Sequence, residues 1–249
     1  MYTKAIDLRE FYDSVRGRVA QRILRQHIRS LWPNTAGLRM LGLGYAVPYL
    51  KPFLGEAERV ISLMPSHQGA IFWPAEDKGL VSMVNEAELP IETNSVDRLL
   101  IVHGLQGYES LDAILRESWR VLSGQGRLII LVPNRTGIWA QVDATPFGHG
   151  APYSMGQLRQ HLKDYLFVPE TALRALFVPP TTSRLMLTTA PVWEKLGPKF
   201  ISAFAGVNII EASKQLYAGT MVGATSPTAA LAHRRRIAQT APMTREGES

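Results

Sequence analysis

The sequence contains no cysteine and no apolar run long enough to cross a bilayer. The lack of cysteine excludes disulfide bonds, cysteine-ligated metal centres and thiol nucleophiles, and it suits a reducing compartment. The longest apolar run, Leu128–Pro133, has the length of a strand, whereas a membrane-spanning helix needs roughly 20 residues. Charged residues interrupt Met1–Asp13, where a secretory signal has an apolar core. We therefore expect a cytoplasmic protein that does not span a membrane.

Several chemical signatures are also missing. The sequence has no phosphate-binding loop of the Walker type, no Gly-x-Ser-x-Gly elbow and no His-x-x-x-His pair. Phosphoryl transfer, serine hydrolysis and metal-dependent hydrolysis are therefore not expected. No metal site is predicted.

Positive charge exceeds negative charge, since 27 lysines and arginines against 21 acidic residues leave a net charge of +6. Part of the excess lies in arginines spaced along the first predicted helix, and part lies in His233–Arg236. Solvated basic faces explain this pattern, because aromatic residues are not interleaved with the cations and no nucleic-acid-binding motif is present. Nucleic-acid binding through the basic first helix and tail is therefore only a weaker hypothesis, which a strong loss of affinity with rising salt would support.

Periodicity divides the chain into three parts. Residues 1–36 are predicted to form one amphipathic helix, from Asp7 to Leu31, that belongs to the domain. Residues 37–217 alternate apolar strands with helices, which predicts an α/β domain. A run such as Arg127–Val132 is typical of a strand buried on both faces of a parallel sheet. Residues 218–249 lack a core-forming pattern and are predicted to be a poorly ordered basic tail.

Two stretches in the middle of the chain carry a family resemblance. Leu89-Pro90 is followed by Ser95-Val96-Asp97, and a helix ending in Arg120-Val121-Leu122 leads through Ser123-Gly124-Gln125-Gly126 into a strand. This pattern resembles the class I S-adenosylmethionine-dependent methyltransferases of the small-molecule (type 11) kind. The resemblance implies a Rossmann-like class I fold, with a mostly parallel seven-stranded sheet and helices on both faces. It also implies S-adenosylmethionine as cofactor and an unknown, small-molecule acceptor as partner.

The first strand and its loop depart from the family's usual Leu-Asp-x-Gly-x-Gly-x-Gly. Gly42 stands at the acidic position and Gly44 at the first glycine, and Ala46 and Pro48 stand at the next two glycines. Met64 stands where the family places an acid on the ribose hydroxyls, and a methionine cannot accept those two hydrogen bonds. The resemblance assigns cofactor binding to these positions: Gly42, Gly44, Tyr45, Ala46, Met64, Asn85, Glu86 and His103.

Two hypotheses follow from these departures. In the first, the cofactor lies in the usual crevice and is held by altered contacts, with Asn85 available to the exocyclic amine of adenine. A bulky residue such as valine at Gly44 is then expected to abolish cofactor binding and to leave the protein folded. In the second, the fold is kept in a catalytically inactive binding or regulatory protein, a pseudoenzyme, whose partner is another protein. Methylation of a nucleic acid through the basic first helix and tail is a third, weaker hypothesis.

Two histidines are the candidate bases for an acceptor that carries a proton. His103 ends the fourth strand at its carboxyl edge, and His149 lies in the loop after the fifth. The alternative for each is an ordinary strand-end or loop histidine. Aromatic residues of that loop and of the first helix are candidate substrate contacts, or else they simply pack onto the sheet. These residues are Tyr12, Trp139, Phe147 and Tyr153.

Overall fold

The computed structural model describes residues 4–74, 79–105 and 108–216 of the chain, so the predicted tail, 218–249, lies outside the described residues. The seven strands are β1 (Arg39–Gly44), β2 (Arg59–Pro65), β3 (Val81–Val84), β4 (Val96–Val102), β5 (Leu122–Pro133), β6 (Phe167–Ala175) and β7 (Val207–Lys214). They form one sheet with the order β3-β2-β1-β4-β5-β7-β6.

The sheet is mostly parallel. Strands β1 to β5 run in the same direction, and β7 lies antiparallel between β5 and β6. The mostly parallel seven-stranded sheet expected from the resemblance is therefore confirmed. The strand order reverses between β1 and β4, and ligands of open α/β sheets bind beyond the carboxyl ends of the strands at such a switch point. In this chain the switch point lies at Gly44 and Val102.

Helices cover both faces of the sheet. They are α1 (Ala5–Asp13), α2 (Val15–Leu31), α3 (Val47–Leu50), α4 (Tyr108–Val121), α5 (Met155–Asp164), α6 (Arg184–Thr188) and α7 (Ala190–Phe200). None of the described helices is long and apolar enough to cross a membrane. The sequence pattern does not predict α6 and α7, because Pro191, Gly197 and Pro198 lower the helical propensity of this segment.

The N-terminal segment forms two helices, so the prediction of a single helix from Asp7 to Leu31 is wrong. Ser14 lies between α1 and α2 in extended backbone, and its hydroxyl accepts a hydrogen bond from the amide of Gly17 at 3.0 Å. A serine in this position caps the start of a helix. A Cβ atom on Gly17 would overlap the carbonyl oxygen of Phe11, so glycine allows the two helices to meet closely.

Two apolar clusters fill the two faces of the sheet. On one face Met40, Leu100 and Ile129 pack with buried residues of α1, α2 and α3. On the other face Leu41 and Leu128 pack with buried residues of α4 and α5. Because both faces are covered, the second half of β5, Leu128–Pro133, is a continuous apolar run, as its sequence predicts.

The Val96-Asp97 pair of the resemblance motif has a structural role at the amino edge of the sheet. The carboxylate of Asp97 accepts hydrogen bonds from Arg39 Nε at 2.9 Å, from Arg39 Nη2 at 3.1 Å and from Ser123 Oγ at 3.0 Å. The bidentate contact with the guanidinium joins the starts of β1 and β4, and the serine adds β5. Asp97 therefore helps to assemble the sheet and lies away from the switch point.

Candidate functional site

The turn after β1 lies directly against the end of β4. Gly44 has a φ of +81°, and a Cβ atom on it would overlap the carbonyl oxygen of Val102 and lie 2.6 Å from the amide nitrogen of Gly104. The next amide, that of Tyr45, donates a hydrogen bond to the same Val102 oxygen at 2.7 Å. Glycine is required at position 44 both for its backbone angle and for this close approach of two main chains.

Helix α3 occupies the space above the remainder of the loop. A Cβ atom on Gly42 would lie 2.6 Å from Leu50 Cδ1 and 2.7 Å from Ala46 Cβ. Ala46 and Leu50 are fully buried. The position that carries an acid in the resemblance motif is therefore filled by the side chains of the following helix.

Tyr12 of α1 lies across the switch point. Its hydroxyl is 2.8 Å from the hydroxyl of Tyr49 and 2.7 Å from Nε2 of His103, which directly follows β4. Its ring stacks on that of Tyr45, with 5.8 Å between ring centroids and 10° between the planes. Tyr12 is only 5% exposed. One side chain of the first helix thus connects the ends of β1 and β4.

Burial determines the protonation state of this cluster. It raises the pKa of Tyr12 well above its ordinary value, and it also raises the pKa values of Tyr45 and Tyr49. Burial lowers the pKa of His103 to about 3. The phenols are therefore protonated and the imidazole is neutral at physiological pH. A neutral imidazole is the form that a general base requires.

The loop after β5 packs against His103 and bounds the crevice at the ends of β1 and β4. Phe147 is buried with its ring centroid 5.0 Å from that of His103 and 5.6 Å from that of Trp139. Trp139 Nε1 donates to the carbonyl oxygen of Val178 at 2.7 Å, which fixes the loop. The cavity lined by His103, Phe147 and His149 has a volume of about 20 Å³. The two candidate bases thus line one small cavity, which has room for little more than a water molecule.

Gln68 connects this cluster to the loop after β2. Its side-chain Nε2 donates to the main-chain carbonyl oxygen of His103 at 2.9 Å. The main-chain carbonyl oxygen of Gln68 accepts a hydrogen bond from the amide of Ala5 at 2.8 Å. The side-chain oxygen Oε1 is buried and has no hydrogen-bond partner in the described part of the chain. A buried acceptor without a partner is costly, so this atom is a candidate contact for a donor from a ligand.

A larger cavity, of about 310 Å³, lies beside the cluster. Tyr12 and Tyr45 contribute to its wall, together with Phe72 and Trp73 from the segment after β2. Its charged lining residues are three cations and one carboxylate: Arg9, Arg25, Lys51 and Asp13. The larger of the two cavities is therefore aromatic and mainly basic.

The central part of the chain matches the sequence pattern of a known protein family. Residues 41–130 match the family model of a methyltransferase domain. The matched residues include most of β1 and β5 and all of β2, β3 and β4. They therefore include the carboxyl ends of β1 and β4, the two strands at the switch point. The described part of the chain has the class I methyltransferase fold. A search of curated protein sequences finds no match.

Solved structures share this methyltransferase fold at low sequence identity. A SAM-dependent methyltransferase of Thermotoga maritima, described as a possible histamine N-methyltransferase, is 16% identical, with coverage of 83% of this chain and 94% of its own and a TM-score of 0.59. A chain of the complex between the Haloferax volcanii Trm112 methyltransferase activator and a putative methyltransferase is 14% identical, with coverage of 84% and 98% and a TM-score of 0.56. Geranyl diphosphate C-methyltransferase of Streptomyces coelicolor A3(2), solved with Mg²⁺, geranyl diphosphate and S-adenosyl-L-homocysteine, is 15% identical, with coverage of 77% and 78% and a TM-score of 0.51.

Six of the predicted site residues of this methyltransferase-fold chain lie together at the switch point. They come from α1, the turn after β1, the end of β4 and the loop after β5, and they are Tyr12, Gly44, Tyr45, His103, Phe147 and His149. Trp139 packs behind Phe147. Their roles in binding and catalysis stay predictions.

The remaining predicted residues are not part of this group. Met64 is fully buried in the apolar cluster beneath the helices. The side chain of Asn85 accepts a hydrogen bond from the amide of Ala87 at 3.0 Å, within its own turn, and Glu86 lies 3.6 Å from His67. Tyr153 belongs to the apolar cluster on the opposite face of the sheet. The described residues include no group of side chains able to hold a metal ion.

Two residues of the cluster were not predicted. Tyr49 follows Tyr45 by one helical turn, and that spacing was a usable signal that both rings face the same side. Gln68 lies in a loop with no motif, and only the folded chain brings it to His103.

Proposed function

We propose that this chain is an S-adenosylmethionine-dependent methyltransferase for a small-molecule acceptor, and that helix α1 must leave the crevice before the cofactor binds. The family match and the class I fold support the activity. The contacts of Tyr12 support the movement of α1, because this side chain of α1, and not a residue of the sheet, covers the residues that follow β1 and β4.

The residues in the described arrangement do not fit the cofactor. Tyr12 occupies the space between the ends of β1 and β4, and the adjoining cavity of about 20 Å³ is far too small for a nucleoside. Met64 offers no acceptor for ribose hydroxyls and is fully buried. Binding in the crevice therefore requires a change in the arrangement.

Displacement of α1 would remove Tyr12 from the crevice and would enlarge the space beside His103. Tyr12 and Tyr45 both line the cavity of about 310 Å³, so departure of Tyr12 would extend this cavity toward His103. The unpartnered Oε1 of Gln68, in the loop after β2, would then be an acceptor close to the strand that lacks its acid. Neutral His103 would be freed from its hydrogen bond to Tyr12.

The alternative proposal is a catalytically inactive methyltransferase-fold protein that binds or regulates a partner. The specific observation in its favour is that the crevice is both closed and without a carboxylate, since Met64 and Gly42 stand at the two acidic positions. In this alternative the contacts of Tyr12 are permanent and stabilise the fold.

Titration calorimetry with S-adenosylmethionine and S-adenosylhomocysteine tests the proposal. Leu8 is fully buried on α1, so Leu8→Asp places a charge in the core and favours undocking of the helix. The apparent affinity of a closed protein is reduced by the fraction that is open. We expect Leu8→Asp to bind at least about tenfold more tightly than the native chain. The matched control is Ile6→Asp, because Ile6 is 44% exposed on the same helix.

A second pair of variants covers the case in which Leu8→Asp does not fold. Tyr12→Ala removes the ring from the crevice, whereas Tyr12→Phe keeps the ring and removes only the hydroxyl. We expect tighter binding for the alanine variant than for the phenylalanine variant. Absence of binding to all of these proteins at millimolar ligand would contradict the proposal and favour the inactive alternative.

The acceptor and the compartment belong to the proposal as well. A small-molecule acceptor is supported by two structural neighbours, one described as a possible histamine N-methyltransferase and the other as geranyl diphosphate C-methyltransferase. The lack of cysteine supports the cytosol.

A further inference from the structure

The segment from α6 to the turn after α7 exposes several large apolar side chains. Their exposed fractions are 79% for Leu185, 56% for Val192, 48% for Leu196, 69% for Phe200 and 55% for Phe204. Scattered single exposures are ordinary in a globular protein, but with Met186, at 36%, there are six within twenty residues.

The packing of α7 determines which side faces outward. A Cβ atom on Gly197 would overlap the ring of Phe177, so the helix lies directly on that ring. On the same side, Glu194 accepts a hydrogen bond from the amide of Phe177 at 2.7 Å. Val192 and Phe200 lie two helical turns apart and point away from the protein with Leu196 between them. A groove of about 270 Å³ follows this stripe.

The exposed charges beside the stripe have one sign. Lys195 and Lys199 are exposed and follow the stripe at the same helical spacing. Lys199 Nζ lies 5.6 Å from the ring centroid of Phe200. Glu194 is the one acidic residue between Leu185 and Phe204, and its side chain is only 14% exposed. The surface is therefore an apolar stripe bordered by two cations.

We propose that this surface, named the α7 face and formed by Val192, Leu196 and Phe200 with Lys195 and Lys199, binds an anionic lipid bilayer. A helix that lies in the plane of a membrane places its apolar side chains in the acyl boundary and its lysines among the headgroups. The lysines complement anionic headgroups and argue against a neutral surface. Helix α7 has 11 residues and lies on the membrane without crossing it.

Vesicle co-sedimentation of the full chain tests this proposal. The probes are vesicles of phosphatidylcholine alone and of equal parts phosphatidylcholine and phosphatidylglycerol. We expect binding to the anionic vesicles and a loss of at least about tenfold in the double variant Leu196→Ser, Phe200→Ser. Lys195→Gln with Lys199→Gln should weaken binding about fivefold for each lysine. Met83→Ser is the matched control, because Met83 is 59% exposed on β3 and lies outside the α7 face.

Three results would overturn the proposal. The first is no binding to anionic vesicles. The second is binding that the Leu196→Ser, Phe200→Ser variant retains, which would assign it to another basic segment such as His233–Arg236. The third is self-association in sedimentation velocity that this variant abolishes while vesicles are not bound, which would make the α7 face an interface between two copies. None of these measurements depends on S-adenosylmethionine.

Discussion

Replacing Gly44 with alanine should lower the free energy of unfolding by about 2–5 kcal/mol. A φ of +81° costs a residue with a Cβ atom about 1–2 kcal/mol. The added methyl group also overlaps the carbonyl oxygen of Val102 and lies 2.7 Å from Cα of Gly104, so β1 and β4 must separate. Main-chain atoms cannot rotate away as a flexible side chain can. Denaturation in urea, monitored by circular dichroism, measures the change.

Gly37→Ala is the control that separates the cost of the backbone angle from the cost of the overlap with main-chain atoms. Gly37 has a φ of +71°, but a Cβ atom there would meet nothing within 4 Å. Its cost should be limited to the backbone angle, about 1–2 kcal/mol. Equal losses of stability in the two variants would contradict the close approach of β1 and β4.

This contact also corrects an expectation drawn from the sequence. The resemblance predicts that valine at position 44 abolishes cofactor binding and leaves a folded protein. The structure places the backbone of β4 where the side chain would be, so valine is expected to damage the fold. A glycine in a family motif is read as space for a ligand, whereas this one already contacts a neighbouring strand.

The strands were predictable because their burial is local to the sequence. The second half of β5, Leu128–Pro133, is apolar at successive positions because helices cover both of its faces, and that pattern requires no knowledge of its neighbours. The switch point was also predictable, because Gly44 and His103 each follow a strand of the parallel sheet. The sequence therefore placed these two candidate residues at the switch point, although it did not predict that Tyr12 covers them.

The closure of the crevice was not predictable from the same signals. Helical spacing places Tyr12 beside Phe11 on an amphipathic helix, and this pattern is equally consistent with core packing and with a cover over the strand ends. Whether Tyr12 packs in the core or covers the strand ends depends on the helix break at Ser14, which sets the direction of α1 relative to α2. A single serine within a long helical pattern is a weak signal, since serine is also tolerated inside helices.

The free energy of unfolding should fall by about 1–3 kcal/mol through His103 alone when the pH is lowered from 7.5 to 4.5. The folded-state pKa of His103 is about 3, because burial disfavours the imidazolium, while the unfolded-state value is about 6.5. Between these two values the unfolded chain binds a proton that the folded chain does not. The stability is therefore complete above pH 6.5 and is lost progressively as the pH falls toward 3.

His103→Asn isolates this contribution from that of the carboxylates, which also titrate in acid. Asparagine tolerates the φ of +50° at this position and carries no proton-binding group in the range. At pH 7.5 the variant should be less stable by about 1 kcal/mol, because it loses the hydrogen bond to Tyr12. At pH 4.5 the difference should disappear or reverse, since only the native chain has lost the stability linked to His103. Parallel stability curves for the two proteins would show that the imidazole is already solvated and that Tyr12 does not seal the crevice.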